Sequence, residues 1–214
     1  MTTAGVDVDT ASDEGTAFRG RKFDQVIEGA RRVFLADGFE GASVDAIARA
    51  ANVSKATLYS YFSDKRKLFI EVARLECQRQ AEQASARIDT DAPAQEVLRA
   101  AGHQMIGFML SDFSQRIYRI CVAEAERFPE LGQQFYASGP QLGVDALSAY
   151  FAQASTRGEL AIADYEHAAW QFMGLCKAGL FEKRVFGVDD EFSAEEIARV
   201  VASAVETFLA RYAA

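Results

Sequence analysis

Proline is scarce: Pro93, Pro129 and Pro140 are the three in 214 residues. Few positions therefore forbid helix, and collagen-like or proline-rich readings are excluded. Cys77, Cys121 and Cys176 are an odd number and lie far apart, so neither a metal site by spacing nor an oxidising compartment is indicated. His103 and His167 are the two histidines, and no Cys or carboxylate cluster joins either, so no metal site is expected. No stretch reaches ~18 consecutive apolar residues without a charge, which argues against a membrane span. The opening MTTAGVDVDTASDEG lacks a basic n-region and an apolar h-region, so no secretory signal is expected and the cytoplasm is the default location. Nucleophile elbow, phosphate loop, HExxH and paired-carboxylate motifs are missing too. An enzyme is not expected, nor is a cofactor.

What remains is an ordinary globular composition, half hydrophobic and a quarter charged. The length suits one large domain, or a small one fused to a medium one. Abundant Ala, Arg, Glu and Leu favour an all-α fold. The net charge of -8 is unevenly spread. Residues 1–18 hold four acidic groups and no base; residues 19–80 hold 12 basic against 8 acidic; residues 81–214 hold 11 against 19. A basic segment on an acidic remainder suits a small polyanion-binding module attached to a larger body.

Residues 1–18 are polar, acidic and aperiodic, and read as a disordered tail. Arg19, Arg21 and Lys22 form a basic knot that serves either as an arm toward a DNA backbone or minor groove or as a solvated run. From Phe23 to about Asp37, Val26, Ile27, Ala30, Val33 and Phe34 fall on one helical face. Gly38 reads as its C-cap, with Phe39 packing back. Ser43 can cap a short helix whose stripe is Val44, Ile47, Ala48 and Ala51. Asn52 suits a left-handed turn. Ser54 can cap a third helix, Lys55 to Phe62, and a fourth runs from about Asp64 to about Arg87. Further helices are expected near 93–110, 114–128, 130–155, 164–184 and 193–213, with Pro140 able to kink or split the third of these. Ser193 and Glu196 make a capping box for the last.

Ser43 to Phe69, SVDAIARAANVSKATLYSYFSDKRKLF, has the form of a helix-turn-helix, whose second helix enters the major groove. With Leu58 set inward, ~100° steps bring Phe62 back to the inner side and leave Ala56 and Ser60 opposite, flanked by Thr57 and Tyr59. That outer face is small and hydroxyl-bearing, with Lys55 at its leading end. A helix packed on both sides would be apolar there.

These residues resemble the DNA-binding domain of the TetR family of bacterial transcriptional regulators. The pattern runs from Phe34, Gly38 and Phe39 through Ser43, Val44, Ile47 and Ala48 to Val53-Ser54-Lys55-Ala56-Thr57-Leu58-Tyr59, Tyr61, Phe62, Lys65 and Leu68. Asn52 stands where the family usually has Gly. The stretch AEAERFPELGQQFY resembles the AefR-like subclass of the family's C-terminal domains. The resemblance implies phosphate contacts at Ser43, Thr57, Tyr59, Tyr61 and Lys65, and base-edge contacts at Lys55, Ala56 and Ser60. Lysine can donate to guanine, and an alanine methyl can meet a thymine methyl. Core packing competes for Tyr61, and solvation at a helix start competes for Lys65.

The resemblance further implies a three-helix DNA-binding head, 19–66, and a helical regulatory and dimerisation body, 67–214. A two-fold homodimer through the helices at 164–184 and 193–213 is expected, with Gly174 and Gly179 allowing close approach. The apolar run Ala168 to Cys176 should then be buried on several sides; a central helix of a monomeric bundle is the competing reading. The implied partners are a near-palindromic double-stranded operator and a small hydrophobic or aromatic effector. His103, Met109, Phe113, Tyr118, Trp170 and Met173 are candidates for lining its cavity, against a plain core role. Repression released by the effector is the expected mode. The rival from another class is a helical small-molecule carrier without specific DNA binding.

Overall fold

The computed structural model describes residues 20–85 and 88–214. The acidic tail, Arg19 and Arg87 lie outside them. The described residues are helical, with one isolated β-bridge between Leu160 and Ala213. Two compact units divide between Phe69 and Ile70.

The first unit holds α1 (Arg21–Gly41), α2 (Val44–Ala51), α3 (Lys55–Tyr61) and the start of α4 (Lys65–Ser85). Arg21 and Lys22, expected ahead of the first helix, form its exposed first turn. Gly38, at φ 71° and ψ -179°, lies outside the helical region and ends the first helical run of α1 as expected, and a further short turn continues across the kink to Gly41. Ser43 and Ser54 cap α2 and α3, accepting from the Ala46 and Thr57 amides at 3.0 Å each. Asn52 adopts the left-handed conformation, φ 54°, that closes the turn between them. Val26, Ala30, Ile47, Leu58 and Leu68 are fully buried at the centre. Phe34, Phe39 and Phe69 pack as an aromatic cluster, edge to face at 5.1 Å where Phe69 meets either partner.

The second unit continues α4 and adds α5 (Ala94–Leu110), α6 (Asp112–Glu124), α7 (Pro129–Tyr136), α8 (Leu142–Thr156), α9 (Tyr165–Lys177), α10 (Phe181–Phe186) and α11 (Ala194–Tyr212). α9 packs on α8 and α11, and α11 on α5. Phe151, Phe172 and Phe208 form the centre, Phe208 stacked on Phe151 at 5.1 Å and meeting Phe172 edge-on at 5.3 Å. The C-terminus is tied back by Ala161 N–H donating to the Tyr212 carbonyl at 2.8 Å.

Three expected helices have different bounds. The one at 114–128 starts at Asp112, because Ser111 caps it, and stops at Glu124, because Phe128 before Pro129 is held out of the helical region. The one at 130–155 is α7 and α8 joined by a π-helical turn, Ala137–Gln141, which accommodates Pro140 and its missing N–H. The one at 164–184 is broken: Gly179 takes φ 75° between α9 and α10. Gly179 therefore lies in the break between the two helices and not inside one. α9 is also buried on one face only, through Ala168, Ala169, Phe172, Met173 and Cys176, while His167, Gln171 and Gly174 stand exposed. Within one chain the run is not enclosed on several sides.

All three thiols are buried. Burial pushes Cys77 up to about 11 and Cys121 and Cys176 up to about 12. None carries the exposed, acidified thiolate of a redox sensor.

Candidate nucleic-acid interface

The outer face of α3 begins with its cap. Ser54 Oγ lies 2.9 Å from Thr57 Oγ1, and Ser60 Oγ donates to the Thr57 carbonyl at 2.7 Å. These bonds hold the hydroxyls along one side of the helix. Leu58 is completely buried and Phe62 nearly so, which anchors the opposite side. Lys55, Ala56 and Ser60 are exposed, and Tyr59 is 51% exposed despite its aromatic bulk. Exposing a large ring costs burial that a purely structural position would retain. Tyr61 divides its loyalties: its ring meets Phe23 edge-on at 5.6 Å and is still 40% exposed. Ser43, at the head of α2, is exposed on the same unit.

Lys65 is less free than its sequence position suggests. Its ammonium donates to the Phe39 carbonyl at 2.8 Å and lies 4.4 Å from the Phe39 ring centroid. It therefore ties the start of α4 to the kinked end of α1. An ammonium has three donors, so the role implied for Lys65 at a phosphate is compatible with that tie.

One participant carried no motif. Asp45, in the first turn of α2, reaches Lys55 with 2.5 Å between Oδ1 and Nζ. The available signal was opposite charge in the first turns of the two short helices.

The six effector candidates do not converge. In the second unit a crevice of about 640 Å³ is lined by Glu76, Gln80, Ile88, Ala100, His103, Gln104, Gly107, Phe108, Ser111 and Phe113. His103 and Phe113 reach it. Met109 packs partly buried against the core. Tyr118 lies in a ring cluster, 6.3 Å from Phe135 and 5.2 Å from Phe181. Trp170 stacks on Tyr136 at 6.0 Å, and Met173 is buried. Glu76 and Gln80, a carboxylate and an amide on α4, carry the sequence signature of a solvated face. Glu76 is in fact only 6% exposed, with its carboxylate taken up by Arg79 at 2.6 Å and Gln80 at 3.1 Å. Arg184 is a second unforeseen centre: it reaches Asp112, Asp190 at 2.5 Å and the Leu110 carbonyl at 3.2 Å, joining α10 to the α5–α6 corner.

Residues 26–72 match the domain of bacterial regulatory proteins of the tetR family, and residues 96–214 match the AefR-like transcriptional repressor C-terminal domain. A TetR-family transcriptional regulator from Mesorhizobium loti superposes with a TM-score of 0.83 at 26% identity, over 91% of this chain and 98% of that one. The Flavonoid-responsive Regulator FrrA is 34% identical over the same shares, with a TM-score of 0.71. The HTH-type transcriptional repressor AcnR of Corynebacterium efficiens is 41% identical over 61 residues, 28% of this chain. That match spans about a third of the repressor's own length, 32%.

Proposed function

The chain belongs to the TetR family of bacterial regulators, and on that premise we propose that it is a transcriptional repressor that binds a near-palindromic operator as a two-fold dimer. The observation that carries this is the uncovered face of α3: Leu58 fully buried beneath, Tyr59 half-exposed above, and Lys55, Ala56 and Ser60 open to solvent. Lys55, Ala56 and Ser60 face base edges; Ser43, Thr57, Tyr59, Tyr61 and Lys65 hold phosphates and fix the register. One head makes few contacts, and a dimer places two recognition helices roughly 34–36 Å apart in successive major grooves. The exposed stripe of His167, Gln171 and Gly174 on α9, together with α11, is the surface proposed for dimerisation.

The effector reading rests on the crevice beside α5. Its volume falls in the range of about 300–1,000 Å³ that suits a small organic ligand. Ile88, Phe108 and Phe113 offer apolar contact, while Gln104, His103 and Ser111 offer hydrogen bonds. A hydrophobic or aromatic molecule with a few polar groups fits that lining, and a relative 34% identical is named for its response to flavonoids. A ligand preferring a body conformation with mismatched heads weakens DNA binding, and DNA weakens the ligand by the same factor.

The test is a gel shift of the full-length protein on DNA flanking its own gene, repeated across salt. A specific band is expected, with affinity falling by a slope near -0.9 per neutralised phosphate. A helical carrier gives no specific band.

A further inference from the structure

We propose that Asp45 and Lys55 read DNA as one unit, selecting a G·C pair at one position in each operator half-site; this rests on the reading that the α3 face meets a duplex. Lys55 opens α3 and Asp45 lies in the first turn of α2. Their side chains are 56% and 60% exposed, yet their charged atoms stand 2.5 Å apart. Ion pairs this exposed do little for stability. The two helix starts are held by other means, the Ser43 and Ser54 caps and the buried Ile47 and Leu58. The fold does not need the pair, and its consequence is positional.

The lysine ammonium has three N–H donors. One is given to Asp45 and two are left. The carboxylate keeps its second oxygen as an acceptor. The unit therefore offers two donors beside an acceptor, and its complement is an edge reading acceptor, acceptor, donor. In the major groove, guanine presents N7 and O6 as acceptors and its cytosine partner presents the N4 amino group as a donor. An A·T pair breaks that order, because the adenine N6 amino group stands where the second lysine donor must bond. Ala56, the next residue, adds only a methyl, so no bulky side chain crowds the approach.

Asp45 also acts against wrong sequences. A lone lysine is drawn to any phosphate, whereas the carboxylate neutralises it at short range and is itself repelled by the backbone. The pair gives up affinity for arbitrary DNA and concentrates it on the matching base pair. Asp45 is thus a specificity residue acting partly through Lys55.

The experiment selects binding sites from a randomised duplex library with the full-length protein and with Asp45→Ala, Asp45→Ser and Lys55→Ala. Binding to the selected duplex and to random duplex is then measured across salt. The wild type is expected to select a motif with a fixed G·C pair. Both Asp45 variants should lose about tenfold of their preference for G·C over A·T there. They should bind random duplex more tightly, with a salt slope steeper by about 0.9 as Lys55 turns to a phosphate. Lys55→Ala should relax the same position, and a variant carrying both Asp45→Ala and Lys55→Ala should lose no more than the larger single loss. An unchanged G·C preference in both Asp45 variants overturns the proposal, as does relaxation of different positions by Asp45→Ala and Lys55→Ala. A wild type that selects no motif overturns the DNA-binding reading itself, so the two failures are distinguishable.

Discussion

The two units solve opposite problems. The first packs the short helices α2 and α3 against the long α1 while leaving a polar face bare, so its chemistry is position-specific: a serine cap on each of α2 and α3, a left-handed Asn52 between them, and Leu58 buried beneath the outer face of α3. The second encloses Phe151, Phe172 and Phe208 among its own helices and carries a separate crevice lined from α4, α5 and the start of α6. A surface that binds is written in particular residues at particular spacings. A crevice such as the one beside α5 is lined by polar, small and apolar residues together, and no one of those types separates a lining from an ordinary surface. The lesson is that the head's role can be read residue by residue, while the body's can be read only as a class.

The largest expected effect separates the units directly. Trp170 is the only tryptophan and lies in the second unit, so its fluorescence reports that unit's unfolding. Phe172→Ala should lower body stability by about 3–5 kcal/mol and shift the Trp170 urea midpoint strongly. Leu58→Ala should cost the head about 2–5 kcal/mol and abolish DNA binding while leaving the Trp170 transition nearly in place. If Leu58→Ala moves that transition as far as Phe172→Ala does, the units do not unfold separately and the comparison fails.

A smaller effect sharpens the head alone. At Gly29 of α1, an added Cβ would stand 2.6 Å from the backbone of Ala51 at the end of α2. Gly29→Ala should cost about 1–3 kcal/mol by forcing those helices apart. Amide exchange at Val26 and Ile47 should speed up, with the Trp170 signal unmoved. Gly29 sits in the helical pattern without announcing this role, since nothing in the spacing says which glycine touches which backbone.

What could be read from sequence follows the same division. The first three helices, their caps and the Asn52 turn follow from short-range rules that tertiary packing does not override. The α3 face follows from one helical period around Leu58. In the body, the single helix expected at 130–155 hides a π-turn, because Pro140 signals a disturbance but not how the backbone absorbs it. The break at Gly179 was hidden as well: the flanking residues continue an apolar helical pattern, and glycine inside a helix is tolerable. The crevice lining along α5 does share one helical period, through Ala100, His103, Gln104, Gly107 and Phe108, but its small and polar members carry the signature of a solvated face, so only His103 and Phe113 are marked out, and by residue type alone. Asp45 carries no mark of a further role in the sequence, since a first-turn aspartate already suits the positive end of α2.

Lys65 tests the boundary between DNA contact and structure. Lys65→Ala should weaken binding to all sequences alike and reduce the salt slope by about 1. It should also lower head stability by about 1 kcal/mol, because the Phe39 carbonyl loses its donor. Lys65→Met keeps most of the stem that lies over the Phe39 ring and removes the charge. Equal loss of DNA binding in both variants, with the smaller stability loss in Lys65→Met, supports a phosphate contact. Undiminished binding in Lys65→Met leaves only the structural tie.

The smallest effect concerns the last helix of the body, the counterpart of the capped helices in the head. Ser193 Oγ accepts from the Glu196 amide at 3.1 Å, and the Glu196 carboxylate accepts from the Ser193 amide at 2.9 Å. Ser193→Ala should cost about 1 kcal/mol, read again from Trp170. The bond from the Ser193 backbone holds the Glu196 carboxyl below its ordinary value of 4.5. A depressed carboxyl stabilises the folded state above its ordinary value and loses that contribution as pH falls through the lowered one. The wild type should therefore lose more stability between pH 5 and about 3 than Glu196→Gln does. If both lose the same amount, Glu196 is titrating as a solvated surface group, and the capping box contributes through Ser193 alone. The body's final helix would then resemble α2 and α3 of the head, each started by one serine and no carboxylate partner.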